Sequence, residues 1–429
     1  MPESENAPPA NLSGHGNSKK RLGVAARAPR VLVVVRGFPE LSETFVFDHV
    51  AGLARRGFDT YVAASKPDPA YFQMRVGQNT DNIKMVAGYR GITKLRRYAK
   101  FLFRHPSLLF DRFARDRAAF ADSLRTVIQE VLPDVIHAHF GTNGVSAALA
   151  VPRDPIPILV NFHGFDFTTL PKKFGWNAYR KILNSRPNTH AIAHSDFAER
   201  RLSAQLTVPI HRIRLGVDAA LFNPPAKKAY WNETIELLLV GRLEWIKGQH
   251  TAIEALAVAR ADDPHREYYL TLVGDGPIRT RLHSLVKRLG LDDVVTFTGA
   301  MHSAQVAEQM RASDILLVPS QPSPQGAREA FGRVAIEGMA AGLPVIGTPV
   351  GGLPSAIGKA GILTQGTDPV SVAKAIRAGL ARSPDHWREV AQSRARQFSI
   401  EKMWNEYSAL THSAAALQTK AEIRSADCH

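Results

Sequence analysis

The chain has 429 residues, more than one hydrophobic core ordinarily serves, so two or three domains are expected. Hydrophobic residues make up 45% and charged residues 22%, which excludes a disordered or fibrous chain. Apolar runs such as Val31–Val35 fall far short of the ~20 residues of a membrane span.

The net charge of +15 belongs almost wholly to the first half: residues 1–220 hold 31 Lys and Arg against 18 Asp and Glu, and the remainder holds 23 against 21. The single cysteine, Cys428, excludes an internal disulfide and a multi-thiolate zinc site, and fits a reducing, cytoplasmic setting. Residues 1–29 are rich in Pro, Asn, Ser and Gly, lack the apolar centre of a secretory signal, and read as a disordered leader.

Short β-branched runs then alternate with longer amphipathic stretches, the pattern of parallel sheets with helical crossovers. The first half offers strands at Val31–Val35, Thr60–Ala64, Asp134–Ala138, Ile158–Phe162, His190–His194 and Arg212–Leu215. The loop Arg36-Gly37-Phe38-Pro39 follows the first of these, and Ser42-Glu43-Thr44 then opens a helix facing the same crevice. Gly37 is therefore a candidate ligand contact.

From Lys84 to Arg125 eleven basic residues interleave with Tyr98, Phe101, Leu102, Phe103, Leu108, Leu109, Phe110 and Phe113. Such a segment is either a solvated helical face above a core or one lying on an anionic membrane surface. No nucleic-acid-binding signature accompanies it, and no nucleic-acid partner is expected.

His137-Ala-His139 puts two rings on one strand face, but its spacing supplies no third metal ligand, and packing at the sheet edge is the simpler reading. Asn161-Phe-His163-Gly-Phe-Asp166 ends the next strand. His163 there can exchange hydrogen bonds with a sugar hydroxyl, and Asp166 can orient that ring or bind a hydroxyl itself.

Asn223-Pro224-Pro225 and Lys227-Lys228 break both helix and strand, so a domain boundary is placed near residue 222. The first domain spans 30–222 and the second 223–398. The second offers strands at Ile235–Val240, Tyr269–Val273, Val294–Thr298, Ile315–Pro319, Pro344–Gly347 and Gly361–Leu363. A helix with Met403, Trp404, Tyr407 and Leu410 at helical spacing follows over Ser399–Leu417, within a tail of residues 399–429.

After Ile235–Val240 come Gly241-Arg242 and Lys247-Gly248, two cations at the carboxyl edge of a sheet, where open α/β sheets bind ligands. An Arg fork and a Lys point charge suit a diphosphate. Gly274-Asp-Gly-Pro277 follows the next strand; glycine permits close backbone approach, and Pro277 is expected at the first helical position. Glu329 and Glu337 straddle the start of another helix, whose first amides, at Phe331, Gly332 and Arg333, form an anion site. Glu337 needs hydroxyl or cationic partners to be tolerated among Val334, Ile336 and Met339.

These parts together resemble the retaining glycosyltransferases of the GT-B fold, family four. The resemblance covers Val31 to about Leu417 and rests on Val240-Gly-Arg-Leu243 with Lys247-Gly248, Gly274-Asp-Gly-Pro277, the Glu329 and Glu337 pair, Gly342-Leu-Pro-Val345 and Gly351-Gly-Leu-Pro354. Phe38-Pro-Glu-Leu-Ser-Glu-Thr-Phe45, Ile136-His-Ala-His-Phe140 and Phe162-His-Gly-Phe-Asp166 further resemble bacterial exopolysaccharide transferases of the colanic acid type. One departure is Ser355, where the family usually has Glu.

The resemblance implies two Rossmann-like α/β/α domains facing a cleft. A nucleoside diphosphate sugar would be a substrate there, with no cofactor and no metal. Arg242 and Lys247 would hold the diphosphate, with Gly274 beside it, and Glu337 the ribose hydroxyls. Glu329 and the amides of Phe331, Gly332 and Arg333 would hold the sugar and β-phosphate, His163 would lie beside the anomeric centre, and Gly37 and Asp166 would contact the acceptor or the sugar. No Asp-x-Asp metal motif occurs.

The expected activity is sugar transfer, with retention, to a membrane-associated polysaccharide or glycolipid precursor. A polyprenyl-diphosphate-linked oligosaccharide at the inner face of the plasma membrane would explain the basic first domain. The alternatives are a sugar-nucleotide epimerase of the same fold and a non-catalytic sugar-nucleotide-binding scaffold.

Overall fold

The computed structural model describes residues 27–40, 43–76, 82–86, 112–151, 155–222 and 230–426. Two all-parallel sheets form its frame. The first has strands β1 Arg30–Phe38, β2 Asp59–Pro67, β3 Ile83–Val86, β4 Val135–His139, β5 Ile158–Phe162, β6 Thr189–Ala193 and β7 Ile210–Arg212. Their order is β3-β2-β1-β4-β5-β6-β7. The second has β8 Thr234–Val240, β9 Glu267–Val273, β10 Val295–Gly299, β11 Ile315–Val318, β12 Val345–Gly347 and β13 Ile362–Leu363, ordered β10-β9-β8-β11-β12-β13.

Both sheets are doubly wound, so their strands are apolar on both faces. In β1, Leu32 and Val34 join one core while Val31, Val33 and Val35 join another. Strand order reverses between β1 and β4 and between β8 and β11. Ligands gather outside the carboxyl ends of strands at such switch points, and here the two switch points face one another across a shared cleft lined from both domains.

The helix Ile400–Ala426 leaves the second domain and packs on the first, against β4 and the helix Thr44–Arg55. Trp404 Nε1 donates to the Asp48 carbonyl at 2.7 Å, the Tyr407 hydroxyl donates to Asn161 Oδ1, and Arg56 pairs with Glu401 at 2.7 Å. One apolar cluster runs from Val135, Leu159 and Ile192 of the first sheet through Met403, Trp404 and Tyr407 to Leu238 and Leu316 of the second.

Several sequence expectations need correction. Ordered contacts begin before residue 30: Arg27 pairs with Asp134 at 2.8 Å. Strand β1 runs on through Gly37 to Phe38, so Gly37 belongs to the ladder, opposite Lys66, and not to a loop. Strand β7 lies at Ile210–Arg212 rather than Arg212–Leu215, and β3 was not foreseen. Pro277 precedes its helix, which starts at Arg279.

Of the basic stretch, residues 87–111 lie outside the described residues, as does the Pro-rich boundary at 223–229. The described ends serve the fold. Lys84 on β3 pairs with Asp59 at 3.0 Å, Phe113 is buried against Phe174 and Tyr179, and Arg125 donates to the carbonyls of Leu149 and Ala150. No helix among the described residues is long and apolar enough to cross a membrane.

Candidate active site in the interdomain cleft

The cleft encloses about 540 Å³ between the carboxyl ends of the two sheets. Its second-domain wall starts where β8 ends. Gly274 has φ of +138°, and a Cβ there would stand 2.1 Å from the Gly241 carbonyl oxygen, so only glycine lets the ends of β8 and β9 approach this closely. Arg242 projects beyond the strand and pairs with Glu244 at 2.7 Å.

The short 3-10 turn Trp245–Lys247 brings Lys247 back over the sheet edge, where Nζ lies 2.7 Å from Glu329 Oε2. Burial would raise the Glu329 carboxyl, but the Lys247 ammonium, the Ser320 hydroxyl and the Gly332 amide outweigh it and hold the group below its ordinary 4.5. It is therefore ionised. The Gly351-Gly352 loop supports this stretch from behind, with the Gly352 amide donating to the Glu329 carbonyl at 2.9 Å.

The helix Arg333–Ala340 begins after Gly332, whose left-handed conformation (φ +85°) swings the chain so that the helix start faces the cleft. A Cβ on Gly332 would also meet Leu353 Cδ2 at 2.3 Å. Phe331, Gly332, Arg333 and Glu337 all line the cleft. The Arg333 side chain bridges the domains: it bonds Asp48 Oδ2 at 2.6 Å and Thr44 Oγ1 at 2.8 Å, and Nε stands 3.2 Å from Glu337 Oε1. Burial raises the Glu337 carboxyl, with Arg333 opposing. Ser195 Oγ adds a second crossing, donating to the Ala330 carbonyl at 2.6 Å.

On the opposite wall His163 follows β5 directly, on the sheet face shared by His137, His139, Asn161 and His194. Its ring lies edge to edge with that of His139, Nε2 standing 2.9 Å from His139 Nδ1, and stacks on His194 with centroids at 4.7 Å, while Phe45 lies at 4.4 Å. Burial, helped by His194 and His139, holds its pKa well below 6.5, so the ring is neutral.

The structure thus brings Arg242, Lys247, Gly274, Glu329, Phe331, Gly332, Arg333, Glu337 and His163 to one cleft, and leaves two candidates out. Asp166 is fully buried and accepts the amides of Gly141, His163 and Gly164, at 2.8, 3.0 and 2.9 Å. It shapes the turn that carries His163 and touches no open space; burial pushes its carboxyl up to about 6 against those three amides. Gly37, within the β1 ladder, does not reach the cleft either. A Cβ there would collide with the Glu40 side chain.

Glu43, not singled out from sequence as a site residue, lines the cleft with Glu40 and Phe45. Burial, reinforced by Glu40, pushes its carboxyl up to about 7 against the pull of Arg36 and Arg242. Its signals in the sequence were its place at a helix start and within the stretch Phe38–Phe45 that carries part of the resemblance. Among the described residues no group of three or more His, Cys, Asp or Glu could hold a metal ion.

Residues 42–221 match the family model described as Glycosyltransferase Family 4, and residues 234–382 match that described as Glycosyl transferases group 1. A glycosyltransferase named for colanic acid biosynthesis, WcaL of Salmonella typhimurium, is 31% identical over 301 residues, which cover 68% of this chain and 72% of that protein. A D-inositol 3-phosphate glycosyltransferase of Geodermatophilus obscurus is 30% identical over 308 residues; the match takes in 63% of this chain and spans only 63% of that protein's length. Among solved structures, HepE of Anabaena in complex with UDP and glucose matches with a TM-score of 0.69 at 20% identity, over 90% of this chain and all of that one (100%). Sucrose-phosphate synthase from Thermosynechococcus elongatus matches at 0.70 and 21%, over 90% and 99%. The fold they share with this chain is GT-B.

Proposed function

Because this chain belongs to the family 4 glycosyltransferases, we propose that it moves a sugar from a nucleoside diphosphate to a polysaccharide or glycolipid precursor at the membrane, with retention of anomeric configuration and without a metal ion. The observation that carries this reading is the contact of Lys247 with Glu329 beside the start of the helix Arg333–Ala340, with His163 on the facing wall. A diphosphate placed there meets the Lys247 ammonium, the Arg242 guanidinium and the helix amides, which together offset its charge. Ionised Glu329 accepts hydrogen bonds from sugar hydroxyls, and Glu337 receives those of the ribose.

Retention fits front-face transfer, in which the departing phosphate helps to take the acceptor's proton. Such a step needs donors around the leaving group and no carboxylate nucleophile. HepE, a protein of the same fold solved with UDP and glucose, supports a nucleotide-sugar donor here. The name of WcaL supports a polysaccharide precursor as the acceptor, and the basic first half supports its presentation at an anionic membrane surface.

The test is a thermal-shift screen of UDP-, GDP- and ADP-sugars, followed by NMR of the linkage formed on a lipid-linked oligosaccharide. One donor class at about 100 times its dissociation constant should stabilise the fold by about 2.7 kcal/mol, and the product should keep the donor's anomeric configuration. Donor converted to its epimer in the absence of acceptor, an inverted linkage, or no stabilisation by any donor would each overturn the reading.

A further inference from the structure

The first half of the chain is basic, with 31 Lys and Arg against 18 Asp and Glu over residues 1–220, yet the wall it presents to the cleft is not. Among the described residues no Lys or Arg of the first domain lines the cleft; Glu40 and Glu43 do, together with Phe45, Phe140 and Phe165. Arg36 acts on Glu43 from outside this lining. The facing wall has the opposite character, with Arg242, Lys247 and Arg333 in its lining.

Three phenylalanines fall at the end of β5 and just after it. Phe162 and Phe167 are fully buried, while Phe165 is 58% exposed. A lone exposed phenylalanine is ordinary on a protein surface, but this one stands in the cleft on a turn pinned by hydrogen bonds. The buried Asp166 carboxylate holds the amides of Gly141, His163 and Gly164, and Thr168 Oγ1 donates to the Gly164 carbonyl at 2.7 Å. Phe140 is brought to the same wall at a backbone cost. Its φ is +69°, in the region that favours glycine, and its amide is tied to the Asn161 carbonyl at 2.8 Å.

A sugar ring has two kinds of surface. Its C–H bonds, slightly positive at hydrogen, lie well against the negative face of an aromatic ring, and its hydroxyls donate to carboxylates. An exposed phenylalanine beside two glutamates offers both. A phosphate or a uronic acid would meet those glutamates with no cation of the same wall to offset its charge, while the donor diphosphate occupies the cations opposite. The wall already resists negative charge: burial, with Glu40 adding to it, pushes the Glu43 carboxyl up to about 7.

We propose that Phe165 and Glu43 form an acceptor subsite for an uncharged sugar ring, which lies against the exposed phenylalanine face and turns its hydroxyls to the glutamate. The group that receives the transferred sugar is then a sugar hydroxyl and not a phosphate. The anomeric carbon exchanges its bond to the diphosphate oxygen for one to that hydroxyl's oxygen, and the hydroxyl proton goes to the departing phosphate. Calling this sugar the acceptor rests on the transfer reaction proposed above; its binding to this face does not.

The test uses the full chain and the methyl glycosides of glucose, galactose, mannose and glucuronic acid. Saturation-transfer NMR should show the ring protons of at least one neutral glycoside against the protein, and none of the glucuronide. Phe165→Ala should weaken that signal about fivefold or more, with the fold intact by circular dichroism, and Phe165→Tyr, which keeps the ring, should recover it. With a donor that turns over, product should form on a neutral glycoside and not on farnesyl phosphate. Phe165→Ala and Glu43→Ala should each raise acceptor KM about tenfold while donor KM stays within about threefold. A glucuronide signal as strong as the neutral one, no signal from any glycoside, transfer to farnesyl phosphate, or acceptor KM unchanged in either variant would each overturn the proposal. If no donor turns over, the transfer reading fails while the NMR contrast still decides whether this face binds a neutral sugar.

Discussion

Glu43 and Glu329 are both cleft carboxylates, and burial and neighbouring charge leave them on opposite sides of the ordinary value. Lys247 against Glu329 outweighs its burial and keeps it charged; burial, with Glu40 adding to it, pushes the Glu43 carboxyl up to about 7. A carboxyl raised in the folded state contributes stability below its unfolded pKa of about 4.5 and loses that contribution as pH rises through 7. Glu43→Gln should therefore leave thermal stability unchanged near pH 4 and raise it at pH 8 by up to about 3 kcal/mol. Melting curves over that range check this, and parallel curves for both proteins would refute it. For the donor wall, charge-assisted bonds to phosphate are worth roughly 1.5–3 kcal/mol each. Arg242→Ala with Lys247→Ala should accordingly lower donor affinity and rate at least tenfold, with the fold intact by circular dichroism; saturation kinetics within threefold of the parent would remove both from the donor site. Lys247 and Glu329 were legible in the sequence because each sits in a short motif at a strand end or helix start. Glu43 lies in the quoted stretch Phe38–Phe45, but its raised carboxyl was not legible there, since burial in the cleft sets it.

At the level of elements, the C-terminal helix depends on an absent side chain. A Cβ on Gly52 would come within 2.0 Å of the Trp404 ring, so the helix Thr44–Arg55 accepts the indole only where it carries glycine. Gly52→Val should destabilise the protein by about 1–3 kcal/mol, the usual range for overpacking, and urea unfolding measures it. No loss would mean that the helix moves aside freely. Trp404 and Tyr407 were visible as a helical stripe, but their destination was not, because periodicity names a buried face without naming what covers it. Strand β3 escaped notice for a related reason: it has four residues, sits at the sheet edge and contains Lys84. Strand β5, buried on both faces and bounded by Pro157 and Gly164, matched its expected limits residue for residue.

Over the whole molecule, charge divides as the domains do, with the excess on the first. If that excess meets a membrane, vesicles with anionic lipid should bind the protein at low salt and release it towards 1 M, where the Debye length shrinks to about 3 Å. Equal binding to neutral and anionic vesicles, or none to either, would leave these charges as a solvated face. The two-domain plan was legible from alternating strands and helices and a Pro-rich junction. The Arg333 bridge to Asp48 was not, because it joins positions 285 residues apart.

The chain crosses between the domains twice, and the crossings lie side by side. The Val217 amide donates to the Phe398 carbonyl, and the Ile400 amide donates to the Val217 carbonyl. In topological terms the second domain is a cassette inserted into the first, whose own fold is completed only when the chain returns as the helix Ile400–Ala426. Cutting at residue 222 would give a first half missing the partners of Asn161 and His137. If the donor binds as proposed, the unit to exchange between relatives to alter the donor while keeping the acceptor is the segment from about 218 to 398, with both ends joined at that one doorway.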